Sequence, residues 1–481
     1  MEACMNRREF MKGALAAMGF AALPGGFLFA APQGWKSDKK PNLVFGVVSD
    51  THIRATLKGD FAGDSPRKYL DNALGYFRRQ NVDAVVHLGD MAHNGQVEAM
   101  QLHANLWKKA FPHDRAADGR SVVRLFITGN HDVEGFTYSN YIDRIIPDKE
   151  KQKSHLLITD MAGNWQHIWG EKYEAMWHKE VKGYHFYGKN WDVPEEEFAT
   201  FVKKDAEENG IANCEAPVFL LTHQRLFYGF RKSVSPFRNA LALFGHCHYS
   251  AANWNTIYTD AAWCKTFPSV QCPSCHAVGH GATLKEDEYI ANAAIELRRE
   301  SVGDGRQGFV VRVFDDMLTI ERRDFLSGGS LGADWVMPLG KYDPHPFLKG
   351  ELKKVIGEPQ FSANAKPVVG ACMVSAGANK KIKAKKVPGI KVSIPLANSN
   401  PDTRVYAYEV EVAGDEGTPK LIKAVYAAGC NLGIGHELNH GVTSLEIPKS
   451  ELPPGKTLTF AVRPLTSLGT FGKPIATEFK V

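Results

Sequence analysis

The chain has 481 residues, with 58 Lys and Arg against 53 Asp and Glu, a formal net charge of +5 and 44% hydrophobic residues. The length exceeds one ordinary domain, and the composition is that of a soluble globular protein with a sizeable core. Basic residues are dispersed apart from Lys380 to Lys386, so no polybasic nucleic-acid footprint stands out and no acidic polymer is required as a partner.

At the N-terminus, Asn6-Arg7-Arg8-Glu9-Phe10-Met11-Lys12 is a twin-arginine pattern, followed by an apolar run from Gly13 to Ala31. Pro24, Gly25 and Gly26 interrupt that run, which suits a cleaved leader better than a spanning helix, and Ala30 and Ala31 offer small residues for processing. The motif resembles the signals of the Tat pathway, which exports folded and often metal-loaded proteins. The resemblance implies a signal peptide over residues 1–31, a periplasmic or extracellular location with envelope association open, and no transmembrane segment after signal removal.

Asn42 to Val48 is an apolar run of the kind found in buried parallel strands, and it closes on Ser49-Asp50-Thr51-His52. Ser65-Pro66 opens a helix whose buried stripe is Leu70, Ala73, Leu74 and Phe77. A second strand, Val82 to Leu88, ends at Gly89-Asp90, and the helix after it carries Val97, Met100, Ala104 and Trp107 on one face. A third, Val122 to Thr128, ends at Gly129-Asn130-His131-Asp132. Residues 133–192 break this rhythm and are expected to be long loops and short elements over the mouth of a site, most of their aromatics packing a local core. Pro194 opens a helix with Phe198, Phe201 and Val202 on one side. Strands Pro217 to Leu221 and Leu241 to Phe244 end at Thr222-His223 and at Gly245-His246-Cys247-His248. Phe309 to Val313 and Met317 to Ile320 predict a hairpin, followed by a loop-like stretch from Leu331 to Trp335.

Beyond about Glu351 the chain becomes Pro- and Gly-punctuated, with short strands such as Lys391 to Leu396, Arg404 to Val412 and Leu458 to Arg463, a β-sandwich pattern. The run from Leu452 to Arg463 resembles the sixth strand of a fibronectin type III-like domain, with Ser467-Leu468-Gly469 at the turn into the last strand and Phe460 where that family usually has a tyrosine.

The strand ends collect Asp50, His52, Asp90, Asn130, His131, His223, His246 and His248. Open α/β sheets carry their chemistry at these ends. Two metal ions sharing one carboxylate need about seven oxygen and imidazole ligands and lie about 3.5–4 Å apart. The set without His131 has the size and softness for Fe, Mn or Zn. His246 and His248 alone could serve one metal or reach toward two.

Five blocks, Asp-x-His, Gly-Asp, Gly-Asn-His-Asp, a lone His and Gly-His-x-His, occur in this order. In that series the sequence resembles the calcineurin-like metallophosphoesterase superfamily. The resemblance implies an α/β (α+β) fold, a four-layer αββα sandwich over residues 32–345, followed here by a small all-β sandwich over residues 346–481. It further implies one metal held by Asp50, His52, Asp90 and His248, and another held by Asp90, Asn130, His223 and His246, with Asp90 as the bridge. His131 would donate to a phosphate oxygen or protonate the leaving group, and Asp132 would orient it. The activity implied is hydrolysis of a small-molecule phosphomonoester or phosphodiester by a metal-bridging hydroxide, without a covalent intermediate. Purple acid phosphatase relatives have a tyrosine three residues after the bridging aspartate. His93 stands there in this chain, so a tyrosinate-iron colour is not expected. The competing class is a non-catalytic, metal-stabilised cell-surface binding protein, which would not need the His131-Asp132 pair.

Without the leader an odd seven cysteines remain, which is not a disulfide framework for a chain this long. Cys272-Pro273-Ser274-Cys275-His276 fits the C-x-x-C-H pattern of haem attachment, but a haem would leave the seven-ligand set unexplained. With Cys264 nearby, a small zinc site or a disulfide is the preferred reading. Cys372 and Cys430 are a candidate pair, and Cys247 is read as a small buried apolar residue. His93, Asn94 and Arg225 could reach a substrate or serve surface or packing roles, both readings standing open, while His87, mid-strand, reads as a core histidine.

Overall fold

A computed structural model of the chain describes residues 40–62, 65–138, 141–211, 214–226, 237, 239–258, 267–276, 306–340, 347–348, 350, 357–376, 385–397, 405–433 and 442–481. Residues Met1–Lys36 and Ser37–Val481 separate as two units, and every described residue belongs to the second. The twin-arginine segment and Cys264 lie outside the described residues. No described helix is long and apolar enough to cross a membrane.

Strands β1 (Leu43–Val48), β2 (Ala84–Leu88) and β3 (Val123–Ile127) run parallel. Next come β4 (Met176–Val181), β5 (Tyr184–Lys189), β6 (Val218–Thr222), β7 (Ala240–Phe244), β8 (Ile257–Tyr258) and β9 (Ser269–Gln271). The last strands of this part are β10 (Gln307–Val313), β11 (Met317–Asp324) and β12 (Trp335–Pro338). They form two six-stranded sheets, in the orders β12-β11-β10-β1-β2-β3 and β4-β5-β6-β7-β9-β8.

Alternation along the strands builds four layers. In β1, Val44 and Val48 face the helices Ser65–Arg79 and Val97–Ala110, whereas Leu43, Phe45 and Val47 face the second sheet. In β6 and β7, Phe219, Leu221, Leu241 and Leu243 return that contact, while Val218, Leu220, Ala240 and Ala242 pack on the helix Glu195–Glu208. Phe45 meets Phe186 and Phe219 edge-on across the sheet–sheet interface, at 5.3 and 5.0 Å between centroids. Full burial of each such side chain contributes about 1.5–3 kcal/mol, so the layer order follows from which face carries the apolar residues.

Two expectations are corrected. The stretch expected as long loops and short elements over a site mouth, residues 133–192, instead contributes β4 and β5 to the second sheet itself. Their sequences, rich in Trp, Tyr, His and Lys, give no long apolar run because β4 is an edge strand. The loop expected at Trp335 is instead the start of β12.

Seven further strands follow: β13 (Val368–Ala376), β14 (Lys385–Ile394), β15 (Val405–Ala413), β16 (Leu421–Tyr426), β17 (Thr443–Pro448), β18 (Thr457–Thr466) and β19 (Ile475–Lys480). They pair antiparallel as β13-β14-β17 and β16-β15-β18-β19. One core, including Ile390, Val392, Val410, Ile447, Phe460 and Val462, fills the space between the two sheets. This sandwich is tied to the first part of the chain through Gln307. Its amide nitrogen donates to the Asn431 carbonyl at 2.6 Å, and its oxygen accepts from the Ala251 amide at 2.8 Å. Ala251 lies three residues beyond His248, so the C-terminal sandwich helps hold the loop that carries two predicted ligands.

All six described cysteines are free thiols. The proposed pair Cys372–Cys430 is therefore not formed. The C-x-x-C-H stretch does not converge on a ligand either, because Cys272 enters the core between the sheets whereas Cys275 enters the core under the helices. The backbone after β9 turns the two thiols to opposite sides of the first sheet. Cys247 is half-buried, and burial pushes its thiol up to about 11.

His87 is a core residue with a structural task. Its Nδ1 accepts from the Gly89 amide at 3.2 Å, and its Nε2 lies 3.1 Å from Thr51 Oγ1, so it joins two site-bearing loops. Beside it, fully buried His103 packs on His87, Phe126 and Trp169, and neither ring nitrogen has a partner among the described residues. Burial holds its pKa down at about 3, against an ordinary 6.5. The unfolded chain therefore takes up this proton first as pH falls, and stability drains away between pH 6.5 and 3 at about 1.4 kcal/mol per pH unit. Metal-free His103→Leu is expected to lose about 2 kcal/mol less than wild type between pH 6.5 and 5, read from urea midpoints. Equal losses would place the acid sensitivity elsewhere.

Candidate metal centre

The carboxyl ends of β1, β2 and β3 in one sheet and of β6 and β7 in the other open into one cleft of about 210 Å³. It is lined by His52, Asp90, His93, Asn130, His131, His246, His248 and His276. Asp50 and His223 lie beneath this lining, nearly inaccessible. The loops are sewn together by their backbones: Asp50 N donates to Gly89 O, His52 N to Asp90 O, and Gly245 N to His223 O, at 2.9–3.0 Å.

The local backbone is unusual at the ligand positions. Asp50, His52, Asp90, His246 and His248 have φ of 52°, 46°, 57°, 69° and 58°. A left-handed conformation costs a non-glycine residue about 1–2 kcal/mol, and such strain persists where surrounding structure enforces it at functional sites. Here it turns five side chains toward one point. Two glycines permit the close approach: a Cβ at Gly129 would lie 2.3 Å from Asp90 Oδ1, and one at Gly245 would lie 1.9 Å from Ser49 Oγ.

Asp50 Oδ2 accepts from Ser49 Oγ at 2.5 Å and from the His246 amide at 3.0 Å. Its Oδ1, fully buried, lies 3.0 Å from His248 Nε2, 3.9 Å from His52 Nε2 and 4.0 Å from His223 Nε2. Asp90 Oδ1 accepts from the His131 amide at 2.7 Å, leaving Oδ2 3.7 Å from His52 Nε2 and 3.3 Å from His223 Nε2. Both carboxylates, not Asp90 alone, therefore lie between two histidine groups. His223 Nδ1 donates to the Leu88 carbonyl at 2.6 Å, which turns Nε2 toward Asp90 and toward Asn130 Oδ1 at 3.0 Å. His246 Nδ1 is also 3.0 Å from Asn130 Oδ1.

This donor set fits metal ions. Acceptor oxygens and imidazole nitrogens converge with too few protons between them, a demand that a cation satisfies. The electrostatics agree. Burial opposes charge on His223, but Asp90 and Asp50 outweigh it and push the ring up to about 9. Burial alone would raise Asp50, yet His248, His223 and His52 hold it well below the usual carboxylate range. Asp50, His52 and His248 form one group that could hold a metal, and Asp50, Asp90 and His223 form another. Every one of the seven predicted ligands lies in this cluster.

His131 lines the cleft, and its Nδ1 donates to the His93 carbonyl at 2.7 Å, leaving Nε2 for the interior. Asp132 does not orient that ring. Its carboxylate instead accepts from the amides of Ala92 (2.7 Å), Gly129 (2.9 Å) and Met91 (3.2 Å), pinning the Asp90 loop to the Asn130 loop. The physical reason is helical direction: His131 and Asp132 are consecutive in the helix Asn130–Tyr138, so their side chains point about 100° apart.

His93, His276 and Arg54 form an outer wall around His52. His93 Nδ1 is 3.2 Å from His52 Nδ1, and Arg54 lies 3.0 Å from His93 Nε2. Burial first, then the Arg54 charge, holds His93 down at about 3. His52, His93 and His131 could also group around a metal, but the guanidinium beside them opposes a further cation. His276 ends the C-x-x-C-H stretch. Its amide donates to Ser274 Oγ, which donates to the Asp50 carbonyl at 2.9 Å, so the motif braces the ligand loop. Of the other residues expected near substrate, Arg225 lies over the Tyr258 ring at 4.2 Å and Asn94 is buried.

Sequence reasoning missed Glu134 and Tyr138. They follow His131 at helical spacings of three and seven, the signal that could have placed them on the same helix face. The Tyr138 ring lies 5.2 Å from that of His131, and Trp191 stacks on His246 at 5.9 Å and 27°.

Residues 43–250 match the family model described as calcineurin-like phosphoesterase. No curated protein matches the chain. Among solved structures it is similar to a dimetal phosphatase from Danio rerio, at 11% identity and a TM-score of 0.37, covering 63% of this chain and 100% of that one. It is also similar to a purple acid phosphatase from yellow lupin (Lupinus luteus) seeds, at 12% identity and a TM-score of 0.38, covering 62% of this chain and 54% of that one. A predicted phosphoesterase from Streptococcus pneumoniae TIGR4 is similar at 11% identity and a TM-score of 0.26, covering 62% and 97%.

Proposed function

We propose, from the match of residues 43–250 to the calcineurin-like phosphoesterase family model, that the protein is an exported, dinuclear metal-dependent hydrolase of small phosphate monoesters or diesters. One observation carries the reading: two carboxylates lie between histidine groups in a cleft where nearly every lining residue is a ligand type. Asp50, His52, Asp90 and His248 would hold one ion, and Asp90, Asn130, His223 and His246 the other. Ions of Fe, Mn or Zn held there supply Lewis acidity toward phosphoryl oxygens and acidify a water. Export rests on the pattern around Arg7 and Arg8. The order of three plus four antiparallel strands supports reading residues 346–481 as a fibronectin type III-like domain.

The protein's own groups prepare the displacement. The Leu88 carbonyl fixes the His223 ring, and Asp132 fixes the Asp90 loop. Because Nδ1–H of His131 is committed to a carbonyl, its Nε2 carries a proton only in the imidazolium form. Giving that proton to the departing alkoxide leaves a neutral ring still anchored, a general-acid step.

The test is a paired assay and elemental analysis on the purified full chain. Dipicolinate treatment is expected to abolish hydrolysis of p-nitrophenyl phosphate or of bis-p-nitrophenyl phosphate, and added manganese to restore it. No turnover of either ester with two metals bound per chain would favour a metal-stabilised binding protein instead.

A further inference from the structure

One carboxylate near the cleft, Glu134, holds two aromatic side chains at once. Glu134 Oε2 accepts from the Tyr138 hydroxyl at 2.7 Å, and Oε1 accepts from Trp191 Nε1 at 3.1 Å. Glu134 has no ion pair with a lysine or arginine among the described residues, so its two oxygens serve the two rings. The rings come from distant places: Tyr138 ends the helix that begins at Asn130, and Trp191 follows β5. Trp191 is further anchored by its amide, which donates to Thr128 Oγ1 at 3.2 Å.

Each ring covers a different member of the site. Tyr138 lies against His131, the group expected to face the leaving alcohol, while Trp191 stacks on His246 and meets His223 edge-on at 5.7 Å. Tyr138 is nonetheless 56% exposed. A large ring fixed by a hydrogen bond at its tip, with much of its surface in water, is a preorganised stacking platform; a packing role would bury it. His52, His93 and His276, with Arg54 behind, form a second group around the same cleft, and His93 stacks on His131 at 5.2 Å. The cleft itself is lined by nitrogen and oxygen groups, and the two aromatic rings flank it, each against one lining histidine.

We propose that Tyr138 and Trp191, clamped by Glu134, form an aromatic rim that selects phosphate esters whose alcohol carries a planar ring. The ring stacks on the rim while the phosphoryl group lies over the ligand cluster. The inference rests on the phosphoesterase reading, because it assigns the leaving alcohol to the His131 side.

The experiment compares benzyl phosphate with n-butyl phosphate, whose alcohols are similar in acidity, so that leaving-group chemistry is matched and only the planar ring differs. It uses the manganese-loaded full chain and, in parallel, calorimetric binding of the non-hydrolysable benzylphosphonate and butylphosphonate. Wild type is expected to favour the benzyl compound in both measurements. Exposed Tyr138→Leu should lower kcat/KM for benzyl phosphate about tenfold more than for butyl phosphate, mainly through KM, an effect of the size seen on removing one stacking ring. Tyr138→Phe keeps the ring and should keep most of the preference; Trp191→Leu, with metal content verified, should lower it further. Equal losses on both esters in Tyr138→Leu, or no benzyl preference in wild type, would overturn the rim while leaving the hydrolase intact. Discriminating phosphonate binding without hydrolysis of either ester would sustain the rim and overturn the phosphoesterase reading.

Discussion

Asp90→Asn is expected to lower kcat/KM by more than about a thousandfold, equivalent to about 4 kcal/mol of lost transition-state stabilisation, and to cost the protein bound metal. The substitution keeps the shape and one useful contact, since the amide oxygen can still accept from the His131 N–H as Oδ1 does at 2.7 Å. The other arm then points an NH2 group at His52 and His223, whose Nε2 atoms lie 3.7 and 3.3 Å from Oδ2. A donor now stands where an anionic ligand stood between the two histidine groups. The charge matters as much as the lone pair. Asp90 does more than any other group to raise His223, so without it the ring holds its second proton less tightly and the pocket's demand for a cation weakens. Asp132 should fall as well, because burial and then the Asp90 charge hold it up at about 7. Elemental analysis beside the kinetics checks the expectation. Two ions per chain and near-wild-type turnover in Asp90→Asn would remove Asp90 from the bridging position and leave Asp50, equally central, as the candidate.

The convergence of the seven candidate ligands was legible because metal chemistry restricts residue type and the α/β architecture restricts place. Carboxylates, an amide and imidazoles recur where apolar strands stop, and the parallel strands of two mixed sheets bring those ends together. The αββα layers were legible for a similar reason: β1, β2, β6 and β7 are buried on both faces and read as continuous apolar runs. β4 was not, because an edge strand carrying Trp177, His178, Lys179 and Glu180 has no run to read. Nor could the sequence report a backbone state. Nothing in Asp50 or His248 as letters announces φ near 55°; that conformation is imposed by Gly129, Gly245 and the ties between loops. Asp132 was placed beside His131 by adjacency, whereas the helix turns the two apart, and local spacing also joined Cys272 to Cys275 across a sheet that separates them.

His131→Ala should retain both metals yet lower kcat by about 10²–10⁴-fold, the range for loss of a positioned general acid. Metal retention follows from geometry. The contact of residue 131 with the ligand set is its amide, which donates to Asp90 Oδ1, and alanine keeps that amide. The ring is held from behind by the His93 carbonyl and meets His52 edge-on at 4.7 Å between centroids, so its removal opens space without taking away a carboxylate or a fixed ligand orientation. The kinetic loss should depend on the alcohol that leaves. An alkoxide needs the Nε2 proton and should show the full effect, whereas p-nitrophenolate leaves unprotonated and should show much less. KM should change little for either ester. A ligand role predicts the reverse pattern, with metal lost and both esters slowed alike, so metal content together with the alkyl-to-aryl ratio distinguishes an acid facing the substrate from an eighth member of the ligand cluster.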